Sequence, residues 1–274
     1  MTDTTAARPV RRARSLLPWA RGTAGVAVFL LLTEAAGRLG IISRSALPLT
    51  SSVLARTVLL AGNTRFVADV GATLEAWAIG MVITVAAGVP LGVVLGSLPG
   101  VRVATRAIVE FLRPIPSVAL ILLVSLLLGP GLRMSVTLIV YGAIWPVLYN
   151  TIAGIDDVDP LAKETARAFG FSRLATIRLV SLPSAAPFIA TGVRVAASFA
   201  FVVAVAVELI GTGMAGIGAF AAQEENGAGD MAVMLAIAVW TGLIGLAVNA
   251  VFITAERRLF GWHFALTSSA GGQQ

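Results

Sequence analysis

The sequence predicts an all-α membrane protein with about six transmembrane helices. Hydrophobic residues make up 57% of its 274 positions, charged residues only 12%, and the mean hydropathy is +0.91. Soluble proteins have about 25% charged residues, and a transmembrane helix needs about 20 apolar residues. Several apolar stretches reach that length. We therefore expect one transmembrane domain, residues 22–262, between a basic cytoplasmic arm, 1–21, and a cytoplasmic tail, 263–274.

The first predicted span covers residues 22–42 and follows the five arginines of the arm. A secretory signal is the alternative, since the apolar stretch 22–33 is short. Glu34 and Arg38 lie one turn apart, where they can neutralise each other. Residues 43–65 predict a short amphipathic helix at the membrane interface. Its apolar face would hold Val53, Leu54, Val58 and Leu59, opposite Ser51, Ser52, Arg56 and Thr57.

Five further spans are predicted along the rest of the chain. Three glycines in the second span, Gly88, Gly92 and Gly96, would let a neighbouring helix approach closely. The stretch 211–230 is glycine-rich and acidic, without Lys or Arg, which favours an external loop. These five spans cover residues 69–97, 107–128, 133–152, 184–210 and 231–254.

The distribution of basic residues predicts the orientation. Six spans place both termini on one side of the membrane. Thirteen Lys and Arg residues lie on that side or in the loop 156–183, and five lie on the other side. Basic residues near the ends of spans favour the cytoplasm. The termini and the loop 156–183 are therefore predicted to be cytoplasmic.

The loop 156–183 is the longest polar interruption in the chain. Asp159 before Pro160 predicts the start of a helix, and Gly170 predicts its end. Ser172 can cap a second short helix, which Pro183 would close while opening the fifth span. Two short helices joined at a glycine, on the aqueous side of a membrane protein, predict a docking element.

The spacing of Glu164, Ala166, Gly170, Leu182 and Pro183 resembles the EAA loop of bacterial ABC-importer permeases. That loop has Glu-Ala-Ala, three residues, Gly, nine residues and then Ile-x-Leu-Pro. The resemblance implies that these five residues couple the chain to a separate ATPase, with the glutamate meeting basic or amide groups there. A simpler role for Glu164 is an ion pair with Arg167, one turn further on.

The resemblance extends over roughly residues 45–262, and it is greatest to the nitrate/sulfonate/taurine branch of these permeases. Thr165 and Val180 depart conservatively from the loop pattern, whereas Glu75 stands where the family usually has an arginine. The similar segments outside the loop are Arg113-Pro114-Ile115-Pro116, Gly192-Val193-Arg194 and Glu208-Leu209-Ile210-Gly211.

The resemblance implies a type I ABC importer permease-like fold in a bacterial cytoplasmic (inner) membrane. It implies a homodimer that works with two ABC ATPase subunits and an external solute-binding protein. The chain would import a small, anionic solute by alternating access, either of the sulfonate/taurine class or nitrate. A thiamine or pyrimidine precursor, or another small heterocycle, is the alternative. No cofactor is expected in this chain, since ATP and Mg would be bound by the partner ATPase.

Ionisable residues and prolines within the spans are candidates for the solute pathway or its gate. They are Arg113, Pro114, Pro116, Arg194 and Glu208. Two prolines remove backbone donors and can break the third span, and broken helices often line transport paths. A simple kink is the alternative. Glu110 and Arg113 are three residues apart, which predicts a self-neutralising pair.

The composition excludes other classes of function. The chain has no cysteine, its one histidine, His263, lies in the predicted tail, and it has no Gly-x-x-x-x-Gly-Lys-Ser/Thr loop for ATP. An intramembrane Ser/Lys hydrolase would need a lysine within the membrane, whereas Lys163 lies in the aqueous loop. A nucleic acid partner is not expected, because no aromatic residues alternate with the arginines. A stand-alone secondary carrier is the rival class of transport protein, and it differs from an ABC permease in needing no ATPase.

Overall fold

The computed structural model describes the backbone of residues 17–41, 43, 47–227 and 229–270, and the side chains of those between 21 and 259. Most of the predicted arm and the end of the predicted tail lie outside these residues. Every regular element described is helical. The α-helices are α1 (Leu17–Arg38), α2 (Thr50–Ala61), α3 (Thr64–Ser97), α4 (Pro99–Leu112), α5 (Ile121–Leu128), α6 (Leu132–Asp156), α7 (Pro160–Ala168), α8 (Arg173–Thr176), α9 (Leu182–Ile210), α10 (Ile217–Asn226) and α11 (Met231–Ala270).

The core of the protein is formed by α3, α6 and α9. Helix α6 packs against both of the others, and its buried side chains include Leu138, Ile139 and Val147. The predicted close approach of the second span is confirmed. A Cβ placed on Gly92 would lie 2.5 Å from the Thr151 side chain, and Gly88 and Gly96 face α6 in the same way, so three glycines let two backbones pack closely.

Four helices in the described part of the chain are long and apolar enough to cross a bilayer, and a bent pair of helices makes a fifth if the pair is counted as one span. The four are Thr64–Ser97, Leu132–Asp156, Arg173–Ile210 and Met231–Leu259. The predicted third span is not one continuous helix. It consists of Pro99–Leu112 and Ser117–Leu128, which meet at an angle of 77°.

Helix α1 is not among these four spans, and Arg21, Glu34 and Arg38 lie within its 22 residues. The predicted neutralisation of Glu34 is confirmed by an ion pair of 2.8 Å with Arg38. Glu34 also accepts hydrogen bonds from the backbone N–H and the hydroxyl of Ser51, so the first two helices are joined by polar contacts.

Two short segments contain helices that pack against the spans. The predicted short helix is confirmed as α2, on which Leu54, Val58 and Leu59 are exposed, while Val53, Thr57 and Leu60 are buried. The buried side lies against α11, where the Trp240 indole donates to the Thr57 carbonyl at 2.8 Å. The stretch 211–230, predicted as an external loop, contains the helix α10, which packs against α9 and α3.

Candidate functional site

The loop between α6 and α9 folds as two short helices around a glycine. Asp159 caps α7 by accepting from the Leu161 N–H at 2.8 Å, and Ser172 caps α8 by accepting from the Ala175 N–H at 3.2 Å. Gly170 has φ +83°, which other residues rarely adopt, and it reverses the chain between the helices. The predicted caps and turn are therefore confirmed.

The second short helix does not end before the fifth span. Helix α8 runs through a π-helical turn, Ile177–Ser181, directly into α9, so that one apolar helix extends from Arg173 to Ile210. Pro183 follows the π-helical turn directly, so its missing N–H interrupts the hydrogen bonding of this continuous helix without ending it. The prediction that Pro183 closes a separate helix is wrong for this reason. A displacement of α8 would therefore be carried into the core helix α9.

The loop is attached to α6 through its inner side. The Lys163 ammonium donates to the Ile155 carbonyl, at the C-terminal end of α6, over 2.9 Å. Ala166 is buried, which brings the middle of α7 close to its neighbours. Glu164 is exposed and forms no ion pair with Arg167 within the described part of the chain, so the simpler role expected for it is not observed.

The outer side of the loop presents large apolar side chains to the surroundings. Phe169 is 79% exposed, Leu174 is 74% exposed and Leu161 is 67% exposed. An open groove of about 630 Å³ runs beside Ala166 and Phe171. Exposed apolar patches of this kind on a polar segment mark interaction surfaces. We name Leu161, Glu164, Phe169, Leu174 and Leu179 the docking face.

The two prolines predicted to interrupt the third span lie at its sharp bend. The chain leaves α4 at Leu112, whose carbonyl accepts from the Tyr141 hydroxyl at 2.7 Å. Arg113 is exposed there, with its guanidinium carbon 4.6 Å from the centre of the Tyr149 ring. Pro114 and Pro116 follow, so the broken-helix alternative describes the span better than a simple kink.

Glu110 does not pair with Arg113, contrary to the prediction. Its partner is Arg106, at 2.7 Å on the same face of α4. The helix ends at Leu112, just before Arg113 and the prolines, and the chain turns there, so the guanidinium lies over Tyr149 of α6 instead. Arg113 is thus a cation without a carboxylate partner among the described residues.

The other predicted pathway arginine is neutralised. The Nε of Arg194, on α9, lies 3.1 Å from the Glu256 carboxylate of α11, and Thr191 donates to the same carboxylate at 2.9 Å. Glu256 is buried, so this contact joins two spans in a low-dielectric setting where an unpaired charge is costly. Arg194 therefore connects α9 to α11, and its charge is paired with Glu256 instead of being free to bind an anion.

Glu208 lies in a buried polar network near the other end of α9. Its carboxylate accepts from the Thr73 hydroxyl at 2.8 Å and from the Gly218 N–H at 3.2 Å. Thr73 in turn accepts from the Ile217 N–H at 2.9 Å, while Asp69 accepts from the Gly216 N–H at 3.0 Å. Two acids and a hydroxyl therefore satisfy the free N–H groups at the start of α10.

The structure does not bring the predicted residues together at one place. The residues predicted to couple the chain to an ATPase lie on the 156–183 loop, Arg113 lies at the broken span, and Glu208 lies next to α10. Sequence reasoning missed Asp69 and Thr73, which belong to the Glu208 network. A signal existed in the glycine-rich stretch after Glu208, since closely spaced glycines expose N–H groups that carboxylates can bind.

Comparison with known proteins decides the family. Residues 88–261 match the family described as binding-protein-dependent transport system inner membrane component, and this match covers more than half of the chain. The chain belongs to this family. The resemblance seen in the loop and in the segments beside it is thereby confirmed, and the permease is a multi-pass membrane protein.

Two relatives belong to the branch that the sequence predicted. The permease is 31% identical over 183 residues to the nitrate import permease protein NrtB of Leptolyngbya laminosa, a match that covers 67% of this chain and 65% of that relative. It is 29% identical over 243 residues to the taurine transport system permease protein TauC of Escherichia coli (strain K12), covering 87% and 88%.

A solved structure supports the fold. A chain of the MetNI methionine ABC transporter, in an inward facing conformation, superposes with a TM-score of 0.63 and 20% sequence identity. The superposition covers 71% of the permease and 95% of that chain. The type I ABC importer permease-like fold predicted from the sequence is thus confirmed.

Proposed function

We propose that this permease imports a small anionic solute of the sulfonate/taurine or nitrate class by alternating access. Two copies would form the pathway, with two ABC ATPase subunits on the cytoplasmic loops and a solute-binding protein at the outer side. ATP and Mg would be bound by the ATPase subunits. The observation that carries this proposal is the docking face, an apolar surface on a polar loop that lies at the end of the membrane spans.

The exposed side chains of the docking face fit a protein partner. Burying apolar surface contributes roughly 25 cal/mol per Å². Three large side chains that are more than two-thirds exposed therefore represent a substantial gain on docking. Glu164 lies on the same helix and is free for a basic or amide group of the partner. Within this proposal Ala166 and Gly170 shape the loop, and Leu182 and Pro183 join it to α9.

Mechanical coupling follows from the continuous helix. A partner that displaced α8 would move α9 with it, because the two belong to one continuous helix from Arg173 to Ile210. Helix α9 carries Arg194, paired with α11, and Glu208, bound to α3 and α10. Its movement would therefore reach both ends of the transmembrane core, which is what a gate requires.

Arg113, next to Pro114 and Pro116, is the residue we assign to the anion. It is an exposed cation at a break between two short helices, and broken helices line transport paths in other carriers. The relatives are named for nitrate and taurine, and both the nitrate ion and the taurine sulfonate present negatively charged oxygens that a guanidinium binds well. Arg194 and Glu208 would hold the gate in place instead of contacting the solute.

Docking is tested by co-purification of the ATPase with the affinity-tagged permease from its own cells. We expect Glu164→Ala and Gly170→Asp to lower the yield of co-purified ATPase several-fold, since one removes the docking carboxylate and the other strains the turn. Glu224→Ala, on α10, is the matched control and should leave the yield unchanged. Wild-type yield and uptake in both loop variants would show that the loop does not dock the ATPase.

The solute assignment is tested separately by uptake of labelled taurine and nitrate. Arg113→Gln should lower uptake of the transported anion about tenfold while the ATPase still co-purifies, as expected for loss of one charged contact. Arg133→Gln removes another exposed arginine, at the start of α6, and should have no effect. Equal uptake in the two variants would exclude Arg113 from the pathway.

A further inference from the structure

A second cavity lies between the 156–183 loop and the turn that joins α3 to α4. Its volume is about 360 Å³, and three cations line it: Lys163 and Arg167 from α7, and Arg173 from α8. No Asp or Glu lines the cavity within the described part of the chain. The cavity differs from the docking face, which lies along the outer side of the same loop.

The positive charge of the cavity has no ion-pair partner within the part of the chain that the structure describes. Six described arginines elsewhere pair with carboxylates at 4.0 Å or less, whereas none of the three cavity cations has such a partner among the residues described. Like charges held close together repel one another, and a bound anion removes that repulsion. The local charge therefore favours an anionic ligand.

Two further hydrogen-bond donors of the lining are not fully used within the protein. The Ser97 hydroxyl, at the end of α3, is buried and has no hydrogen-bond partner in the described residues. Buried hydroxyls normally have one, so a small rotation of the Ser97 side chain would let it donate to a ligand in the cavity. Lys163 uses one of its three N–H donors on the Ile155 carbonyl and retains two.

We propose that this cavity binds a phosphate group, either as free phosphate or as the head group of an anionic phospholipid. Two guanidinium groups, an ammonium and a hydroxyl match the several oxygens of a phosphate, which arginine binds through paired hydrogen bonds. The volume is at the lower end of ligand pockets and leaves room for more than the phosphate itself. The cytoplasmic position of the site rests on the orientation given under the proposed function.

A bound phosphate would hold the loop against the core. Arg167 and Arg173 belong to the two helices on either side of Gly170, and Ser97 belongs to α3. A ligand that contacts all three would fix the relative position of α7, α8 and the cytoplasmic end of α3. It would thereby set the orientation in which the docking face is presented.

Binding is measured on the full-length permease purified alone in an uncharged detergent. One arm compares thermal unfolding in sodium phosphate and in sodium chloride at equal ionic strength. The other arm measures, by native mass spectrometry, how many phosphatidylglycerol and phosphatidylcholine molecules are retained. Stabilisation by phosphate with no preference for phosphatidylglycerol identifies a free anion, and retention of phosphatidylglycerol alone identifies a lipid head group. Either result supports the proposed site if the measured binding is lost when the arginines of the cavity are replaced.

The decisive variant is Arg167→Gln with Arg173→Gln, which should weaken binding of the probe about tenfold or more. Arg178→Gln with Arg257→Gln removes two exposed arginines outside the cavity and is the matched control. Replacing Arg167 and Arg173 by lysine should retain part of the binding, because the charge remains. Equal responses of the glutamine pair and the control would overturn the proposal. No ATPase is present, so failure of the docking assignment would not affect this result.

Discussion

The two ends of the transmembrane core differ in where their side chains find partners: inside the protein at one end, and outside it at the other. At the end of α9 that carries Glu208, the carboxylate, the Thr73 hydroxyl and the first N–H groups of α10 bind one another in the interior. At the other end, the 156–183 loop has exposed phenylalanine and leucine side chains and a cavity lined by three cations that have no carboxylate partner among the described residues. In the first region, these groups find their hydrogen-bond partners within the chain itself.

This difference indicates which end of the permease is stable by itself and which end we expect to bind other molecules. A buried network with every partner inside the protein resists change, because breaking it leaves donors or acceptors without water or protein partners. A surface that leaves apolar side chains in contact with water gains stability only when something covers it. Substitutions should therefore affect folding at the Glu208 end and association at the loop end.

The largest effect is expected from Gly218→Ala. A Cβ on Gly218 would overlap the backbone of α9 at Val205 and Leu209, so α10 could not keep its position. We expect a loss of about 3 kcal/mol or more in the free energy of unfolding, in the range of severe core overpacking. Thermal unfolding in detergent measures it.

The matched control for this substitution is Gly242→Ala in α11, where a Cβ would meet no atom within 4 Å. It should change stability by about 1 kcal/mol or less, in the stabilising direction, because alanine favours a helix more than glycine does. Equal melting temperatures for the two alanine variants would contradict the close packing of α10 on α9.

An intermediate effect is expected from Glu208→Ala, at about 2–4 kcal/mol, since it removes the acceptor of two buried donors and leaves a cavity. Glu208→Gln keeps the shape and one acceptor oxygen, so it should cost about 1 kcal/mol. Thermal unfolding of both variants, with ATPase co-purification measured in parallel, separates folding from docking. A glutamine variant as unstable as the alanine variant would show that the charge, not the hydrogen bonds, matters there.

The smallest effect on folding is expected from Phe169→Ser with Leu174→Ser on the docking face. Both side chains are largely exposed, so stability should change by about 0.5 kcal/mol or less. Co-purification of the ATPase should nevertheless fall several-fold, because the partner loses its apolar contact. A marked loss of melting temperature in the isolated permease would show that these side chains are packed within the chain, and the contrast between the two ends would disappear.

Local features of the 156–183 loop could be predicted because they depend on neighbouring residues. Asp159 and Ser172 cap helices two or three residues away, and Gly170 needs no distant partner to adopt a positive φ. Pro183 was predicted wrongly, since its preference for a first helical turn does not state whether the preceding residues are also helical. Thr57 of α2 was placed on the polar face, yet it is buried, because α11 covers that side of the helix.

The sequence by itself determined that this is a helical membrane protein of the ABC-importer permease type, because hydrophobic length and motif spacing are properties of the chain order alone. Only the tertiary structure decided the partners of the buried charges. Glu208 meets Thr73 across 135 positions, and Arg194 meets Glu256 on another span. Hydrogen bonds and ion pairs depend on distance in space, which helical spacing predicts only within a turn or two.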